Sequence, residues 1–232
     1  MIQKRFFLSF LLLLCGTVLV AGYRRLDFSG KVHLSFDDGA APEDTSKLLA
    51  ILAQYRVPAS FFEVGHRLKQ LPNNGRDLIA AKRAGGHVIG NHSFSHPHFP
   101  QLSREEIAKE LRDTEILLAD FSTLKLVRPP FGDDDERVRA ILHDLGYVTV
   151  KWDVQGSEFT RWEEAHRNGV TETRERFVHH LVEKVKRKNG GILLLHDESS
   201  LVIDSLTVLI EELQHNGFTF VPLEYFLEVR LK

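Results

Sequence analysis

From residue 31 onward, short apolar runs alternate with stretches in which apolar residues recur at helical spacing. The spacing of Leu48, Leu49, Ile51 and Leu52 predicts a helix over Thr45–Tyr55. Further helices are predicted over Asp77–Ala84, Ser103–Asp120 (opened by a capping box), Asp134–Leu145, Thr171–Lys188 and Val202–His215. Strands are predicted at Val32–Phe36, Ala59–Phe62, Val88–Ile89, Lys125–Val127, Tyr147–Trp152, Gly191–Leu195 and Phe218–Val221.

This alternation, repeated about seven times, predicts an α/β fold with a largely parallel sheet. A central barrel and an open doubly wound sheet both fit the pattern. No glycine-rich phosphate loop follows the first strand, which weakens the case for a nucleotide-binding open sheet.

The N-terminus has the pattern of an export signal. Lys4 and Arg5 precede an apolar run over Phe6–Gly22, whose 17 residues are at the lower limit for crossing a bilayer. Residues 1–22 are therefore predicted to be a cleaved signal peptide or an uncleaved membrane anchor, with a lipid on Cys15 as a weaker third option. The rest of the chain is expected to work in the periplasm, at the cell surface or as a secreted protein.

Composition narrows the class of protein. The chain has 232 residues, of which 43% are hydrophobic and 27% charged, so one packed domain is expected. A net charge of −2 argues against a nucleic-acid partner. Cys15 is the single cysteine, which excludes a disulfide framework and a cysteine zinc site within one chain. A monomer is expected.

Polar residues suited to catalysis follow the predicted strands. Because the carboxyl ends of parallel strands meet at one edge of a sheet, these residues are expected to converge on one site. They are Asp37 and Asp38 after the first strand, His92 and His96 after the third, Arg128 after the fourth, Asp153 and Glu158 after the fifth, and His196 after the sixth.

The histidines are spaced to share one metal ion. His92 and His96 lie four residues apart, as two side chains on one face of a helical turn do. Taken alone, such a pair is more often two polar loop histidines that bind no metal. With Asp38 they make three ligands and leave a position for water, as in catalytic zinc sites. No glutamate lies between the histidines, so the base is sought elsewhere. Asp37 is the candidate base.

Two further residues complete this hypothesis. Arg128 is predicted to pair with Asp37 and keep that carboxylate ionised. His196, on the opposite side, is predicted to protonate a leaving amine.

Four motifs together resemble the polysaccharide deacetylases of the NodB-homology type, carbohydrate esterase family 4. They are Ser35–Gly39 (SFDDG), His92–His96 (HSFSH), Arg128–Gly132 (RPPFG) and Leu194–His196 (LLH). The resemblance spans a catalytic domain over residues 31–221 and implies a distorted (β/α) barrel of about seven parallel strands.

The resemblance also implies roles for individual residues. It makes Asp37 the base and Asp38, His92 and His96 the ligands of a divalent metal, with Zn²⁺ the expected ion. It also implies that Arg128 orients the base, that the Phe131 backbone N–H binds the oxyanion, that Leu194 lines a pocket for the acetyl methyl group, and that His196 is the acid.

A fifth family motif, W-D-x-D-x-x-D-W, is altered in this chain. Here Trp152 and Asp153 open the motif, but Glu158 stands where the final aspartate is expected and Phe159 where the tryptophan is. Glu158 is the expected partner of the His196 imidazole, and Asp153 is the alternative partner. The sequence leaves both as candidates for the carboxylate that adjusts the acidity of His196.

The predicted function is metal-dependent removal of acetyl groups from N-acetylated sugars of a cell-envelope or extracellular glycan. The same chemistry would serve an O-acetyl esterase, and a non-catalytic glycan-binding member of the fold is a second alternative. Two histidines and a carboxylate also bind iron in oxygenases, but the helix-rich alternation argues against that class.

Overall fold

The computed structural model describes residues 28–39, 41–122, 124–156 and 174–230. Within these residues the strands are β1 (Lys31–Asp38), β2 (Ala59–Glu63), β3 (Val88–Asn91), β4 (Leu126–Val127), β5 (Val148–Thr149), β6 (Val154–Gln155), β7 (Gly190–His196) and β8 (Thr219–Phe220). The helices of the same residues are α1 (Pro42–Tyr55), α2 (Gly65–Gln70), α3 (Arg76–Ala84), α4 (Arg104–Leu118), α5 (Glu136–Asp144), α6 (Arg174–Lys188), α7 (Ser200–His215) and α8 (Leu223–Arg230). Short 3₁₀ turns lie at Pro72–Gly75, Phe99–Gln101 and Pro130–Gly132.

The strands form one parallel sheet in the order β5-β4-β3-β2-β1-β7-β6, and β8 pairs with the start of β1. The seven strands of this path form a half-barrel, which confirms the predicted α/β class and distorted barrel. β1 is the longest strand and lies near the middle, so its carboxyl end is placed between the ends of β2 and β7.

The two faces of the sheet have different environments because side chains alternate along each strand. From β1, Leu34 and Phe36 point outward into the large core that α1, α6 and α7 cover. The inward-facing positions His33, Ser35 and Asp37 are polar, although all three side chains are buried. Along β1, the buried polar side chains therefore lie on the inner face.

Aromatic and aliphatic side chains from the strands pack on the inner face against residues that precede β1 and follow β8. Phe62 of β2 and Ile192 of β7 share a cluster with Phe28 and Phe226, and the last two rings lie 5.4 Å apart. Since Phe28 precedes and α8 follows residues 31–221, the folded unit extends beyond those predicted boundaries on both sides.

Most predicted elements are present, but two regions differ. The strand predicted over Tyr147–Trp152 is limited to β5, because after Thr149 the chain leaves β4 and crosses to pair with β7 as β6. Helices α2 and α8 were not predicted, since α2 is a single short helix of only six residues and α8 follows the last predicted strand. No helix in residues 28–39, 41–122, 124–156 or 174–230 has the length and hydropathy needed to cross a bilayer.

His33 makes the stability of this fold dependent on pH. Its Nδ1 lies 2.8 Å from the Val221 carbonyl oxygen and its Nε2 3.1 Å from the Ser60 hydroxyl. Burial lowers the pKa of His33 from 6.5 to about 4. Between those values the unfolded chain binds more protons than the folded protein, so the free energy of unfolding decreases as the pH falls from 6.5 towards 4.

We expect His33→Asn to flatten this dependence. In the wild type, His33 alone should lower the free energy of unfolding by about 2 kcal/mol between pH 7 and pH 5. Urea denaturation at both pH values measures the change. His143→Asn, at an exposed position of α5, is the control and should keep the wild-type slope. An unchanged slope in His33→Asn would show that the folded protein tolerates a charged His33.

Candidate metal centre

The register of the sheet brings the predicted motifs to one edge. Asp37 at the end of β1 is paired with Phe62 of β2 on one side and with His196 of β7 on the other. Glu63 of β2 is paired with Asn91 of β3, which in turn is paired with Val127 of β4. His92 and Arg128 are the next residues after those last two strands, so they meet at the same edge.

Asp38, His92 and His96 surround a common point. The Nε2 atoms of the two histidines are 3.3 Å apart, and Asp38 Oδ1 lies 3.7 Å from that of His92 and 3.4 Å from that of His96. Ligands bound tetrahedrally to Zn²⁺ at 2.0–2.1 Å are separated by about 3.3–3.4 Å. Two imidazole nitrogens and one carboxylate oxygen at these separations fit a zinc-type ion with an open position.

Hydrogen bonding fixes His92 in the tautomer that a metal needs. Its Nδ1 lies 2.6 Å from the backbone carbonyl oxygen of Arg128. Because a carbonyl can only accept, Nδ1 carries the proton and Nε2 presents its lone pair to Asp38 and His96. The buried ring is thus oriented by the strand end that carries Arg128.

His96 is also suited to bind a metal in its neutral form. Burial, followed by the proximity of His92, lowers the pKa of His96 below its usual value. A neutral imidazole at pH 7 keeps a lone pair available for coordination.

The two histidines lie in a loop and not on a helical turn. Ser93 and His96 both have positive φ angles, 68° and 62°, which are incompatible with a continuous helix. The Ser93 N–H donates to Asn91 Oδ1 at 2.8 Å, and the His96 N–H donates to the Ser93 hydroxyl at 3.0 Å. Side-chain hydrogen bonds therefore replace helical ones in bringing the two rings together.

A carboxylate from the neighbouring helix α4 binds the loop that carries the histidines. Glu110 accepts hydrogen bonds from the backbone N–H groups of Phe94 and Ser95 at 2.9 and 2.7 Å, and from the Ser95 hydroxyl at 2.8 Å. Sequence reasoning missed Glu110, because its position within α4 carries no motif that links it to the histidines.

The two adjacent aspartates reach the same site only because the backbone turns between them. In a regular strand Asp37 and Asp38 would point to opposite faces. Asp38 instead adopts φ 77°, an uncommon conformation for a residue with a side chain. As a result Asp37 Oδ2 lies 3.6 Å and Asp38 Oδ1 3.7 Å from the same His92 nitrogen.

Arg128 forms a buried ion pair with Asp37. Its guanidinium is fully buried and donates from Nη1 to Asp37 Oδ1 at 2.6 Å and to the Ser35 hydroxyl at 3.0 Å. Its Nε donates to the Val150 carbonyl at 2.9 Å, and its carbon Cζ lies 4.1 Å from the centre of the Phe62 ring. Asp37 is thereby kept close to His92 with its second oxygen directed at the metal centre.

Phe131 forms the exposed rim of the site. It has φ 61° within the 3₁₀ turn after Arg128, and its side chain is 56% exposed. The ring lies 4.5 Å from that of His96 and stacks on His98 at 4.0 Å. His98 in turn lies with Nδ1 2.9 Å from Asp133 Oδ2. This places an aromatic surface beside the metal ligands.

His196 and Leu194 lie on the inner face of β7, facing the site. Leu194 is paired with Ser35 and His196 with Asp37, so both follow the inward alternation. Asp153 accepts a hydrogen bond from the Ile192 N–H at 2.8 Å. That contact is four residues, or about 13 Å, along the strand from His196, so Asp153 is not placed to contact the imidazole. Glu158 lies outside the described residues.

Two curated relatives resemble this chain over most of its length, and residues 28–150 match the family model described as polysaccharide deacetylase. The peptidoglycan-N-acetylmuramic acid deacetylase PdaA of Bacillus subtilis is 31% identical, over 83% of this chain and 70% of its own. A peptidoglycan-N-acetylglucosamine deacetylase of Bacillus cereus is 29% identical, over 86% of this chain and 89% of its own.

Solved structures resemble the chain to a similar degree. A family 4 carbohydrate esterase from Streptomyces lividans, in complex with acetate, has a TM-score of 0.68 at 27% identity, over 82% of this chain and 90% of that one. A mutant of a CE4 family pseudoenzyme from Bacillus anthracis, with restored enzymatic activity, has a TM-score of 0.69 at 26% identity, over 85% of this chain and 67% of that one. Proteins with this fold thus include a pseudoenzyme.

We expect Glu110→Ala to weaken metal binding without unfolding the protein. The substitution removes three hydrogen bonds from the loop that carries both histidines, and loss of such an outer contact typically costs about 10-fold or more in metal affinity. Competition with a chromogenic zinc chelator measures the affinity. Arg112→Ala, at an exposed position of the same helix, is the matched control. Wild-type affinity in Glu110→Ala would mean that the loop is held without this carboxylate.

Proposed function

This chain belongs to the polysaccharide deacetylase family, and on that premise we propose that it removes the acetyl group from N-acetylated sugars of a cell-envelope glycan. The observation that carries the proposal is the set of separations, 3.3 to 3.7 Å, among donor atoms of Asp38, His92 and His96. A base and a candidate acid lie on adjoining strand ends.

Asp38, His92 and His96 would hold the divalent metal, for which we propose Zn²⁺ because the donor separations fit its tetrahedral coordination. When bound, such an ion supplies Lewis acidity that polarises the acetyl carbonyl and lowers the pKa of water. The tautomer of His92 and the neutral form of His96 leave a lone pair on each Nε2 atom for binding the metal.

Asp37 is the proposed general base. Arg128 donates to its Oδ1 at 2.6 Å, and its Oδ2 is turned towards the candidate metal centre. Asp37 would take a proton from the attacking water as the new carbon–oxygen bond forms. Arg128 acts here as a positioning residue, because it contacts the base and not the substrate.

His196 is the proposed general acid. Its strand is paired with that of Asp37, which supports a scissile amide bound between the two side chains. His196 would donate a proton to the sugar nitrogen as the carbon–nitrogen bond breaks, releasing acetate and a free amine. We propose Glu158 as the residue that orients this imidazole, since Asp153 is engaged at Ile192.

Two residues would bind the acetyl group itself. The backbone N–H of Phe131 is proposed to donate to the carbonyl oxygen as negative charge develops on it. Leu194, which is buried two residues before His196 and faces inward, is proposed to contact the acetyl methyl group.

The proposed substrate is peptidoglycan, because the two relatives named above are peptidoglycan deacetylases. This assignment agrees with the export signal predicted in residues 1–22, which lie outside the described residues. The exposed Phe131 ring offers an apolar surface for a sugar face at the rim of the site. We propose residues 28–230 as the catalytic domain.

His92→Ala and Asp37→Asn should separate metal binding from catalysis. Loss of a ligand should abolish both bound zinc and acetate release. Asp37→Asn should retain zinc but lose at least about 100-fold in kcat, since general base catalysis contributes about 10² or more. Metal analysis and an acetate assay measure the two properties, with His143→Ala as control. Full turnover by Asp37→Asn would exclude Asp37 as the base.

A substrate panel should distinguish the proposed activity from its alternatives. We expect acetate release from N-acetylated peptidoglycan fragments, its loss on chelation, and its recovery when Zn²⁺ is added. Release only from O-acetylated glycans would identify an esterase. Binding to the glycan with no release from any polymer would identify a non-catalytic member, like the pseudoenzyme to which the chain is similar.

A further inference from the structure

Three charged side chains are buried together behind the metal centre. Lys82 of α3 donates from Nζ to Glu63 Oε1 at 2.6 Å and to Asp197 Oδ2 at 3.1 Å. The three side chains are at most 1% exposed. Burying charged groups is costly unless they are paired, so this cluster, here called the buried triad, needs a reason for its position.

The buried triad lies on the opposite face of the sheet from the proposed reaction. Glu63 follows the outward alternation of Phe61, and Asp197 that of Leu195, both of which belong to the outer core. Lys82 also lies 4.4 Å from the centre of the Phe61 ring. The triad therefore lies across the sheet from the proposed reaction and reaches the site through the backbone.

The triad contacts the backbone at the turn that follows Asp38. Asp197 Oδ1 accepts a hydrogen bond from the Gly39 N–H at 2.9 Å. Glu63 Oε2 occupies the space beside Gly39, where an added Cβ would lie only 2.1 Å from it. The backbone carbonyl of Glu63 also accepts the N–H of His92 at 2.9 Å. One cluster thus contacts the turn of one metal ligand and the backbone of another.

This arrangement accounts for the direction in which Asp38 points. Strand alternation would send the Asp38 carboxylate outward, to the face where Glu63 and Asp197 already place two carboxylates. Asp38 and Gly39 instead have positive φ angles of 77° and 63°, and the Asp38 carboxylate lies beside His92 and His96 on the inner face. The hydrogen bond from Gly39 to Asp197 holds this reversed turn.

We propose that Lys82, Glu63 and Asp197 are positioning residues that turn Asp38 into the metal centre and so set metal affinity. The inference rests on the proposed function, because it concerns the same metal ligands. Asp197 holds the Gly39 N–H, Glu63 fills the space that only glycine leaves, and Lys82 holds both carboxylates in place.

The test compares Asp197→Ala, Asp197→Asn and Lys82→Met in the full chain. Asp197→Ala removes the acceptor for Gly39, whereas Asp197→Asn keeps an oxygen there and should rescue part of the effect. We expect Asp197→Ala and Lys82→Met to weaken Zn²⁺ binding by about 10- to 100-fold, with kcat reduced and KM changed little. Chelator competition measures affinity, and the visible spectrum of the Co²⁺-loaded protein reports ligand geometry.

Leu52→Ala is the control for loss of stability alone. Leu52 is buried in the outer core on α1, away from the metal ligands, and its truncation destabilises the fold through a cavity. It should keep wild-type zinc affinity and the wild-type Co²⁺ spectrum, each measured below its own melting temperature.

The outcomes separate this inference from the proposed function. Wild-type affinity and spectrum in folded Asp197→Ala would overturn the positioning role while leaving the metal site intact. If Lys82→Met does not fold, the comparison of Asp197→Ala with Asp197→Asn tests the positioning role. A wild-type protein that binds no zinc would overturn the proposed function, and the positioning role with it.

Discussion

The buried guanidinium of Arg128 connects most of the candidate site. Its side chain binds Asp37 and Ser35 of β1 and the Val150 carbonyl beyond β5, and its own backbone carbonyl binds His92. Burying a charge is costly unless it is paired, and this guanidinium is held by contacts with Asp37, Ser35 and Val150. The proposed base and one candidate metal ligand are therefore both held by this one residue.

Two groups of buried ion pairs lie on opposite faces of the sheet. On its inner face Arg128 pairs with Asp37, and on its outer face Lys82 pairs with Glu63 and Asp197. The carboxylates of Asp197 and Glu63 raise the pKa of Lys82 even though burial opposes its charge. Asp38 lies between these two groups at the end of β1, where its positive φ determines which face its carboxylate joins.

The motifs were readable from the sequence because each is short and lies at the end of a strand. Alternation of strands and helices predicted that Asp37, His92, Arg128 and His196 would converge, and the parallel register brings them together. The spacing of four residues between the histidines, which one face of a helical turn would also give, is provided here by a loop. That loop depends on Asn91 and Glu110, whose side-chain contacts leave no local pattern.

The linear sequence was enough to establish the α/β class, the strand ends that carry chemistry and the identity of the three candidate metal ligands. These features depend on local periodicity and on residue types at short spacing. The tautomer of His92, the direction of Asp38 and the contacts of Lys82 and Glu110 were decided by folding. Each of them joins residues from separate strands and helices, and such contacts exist only once the sheet has placed those elements side by side.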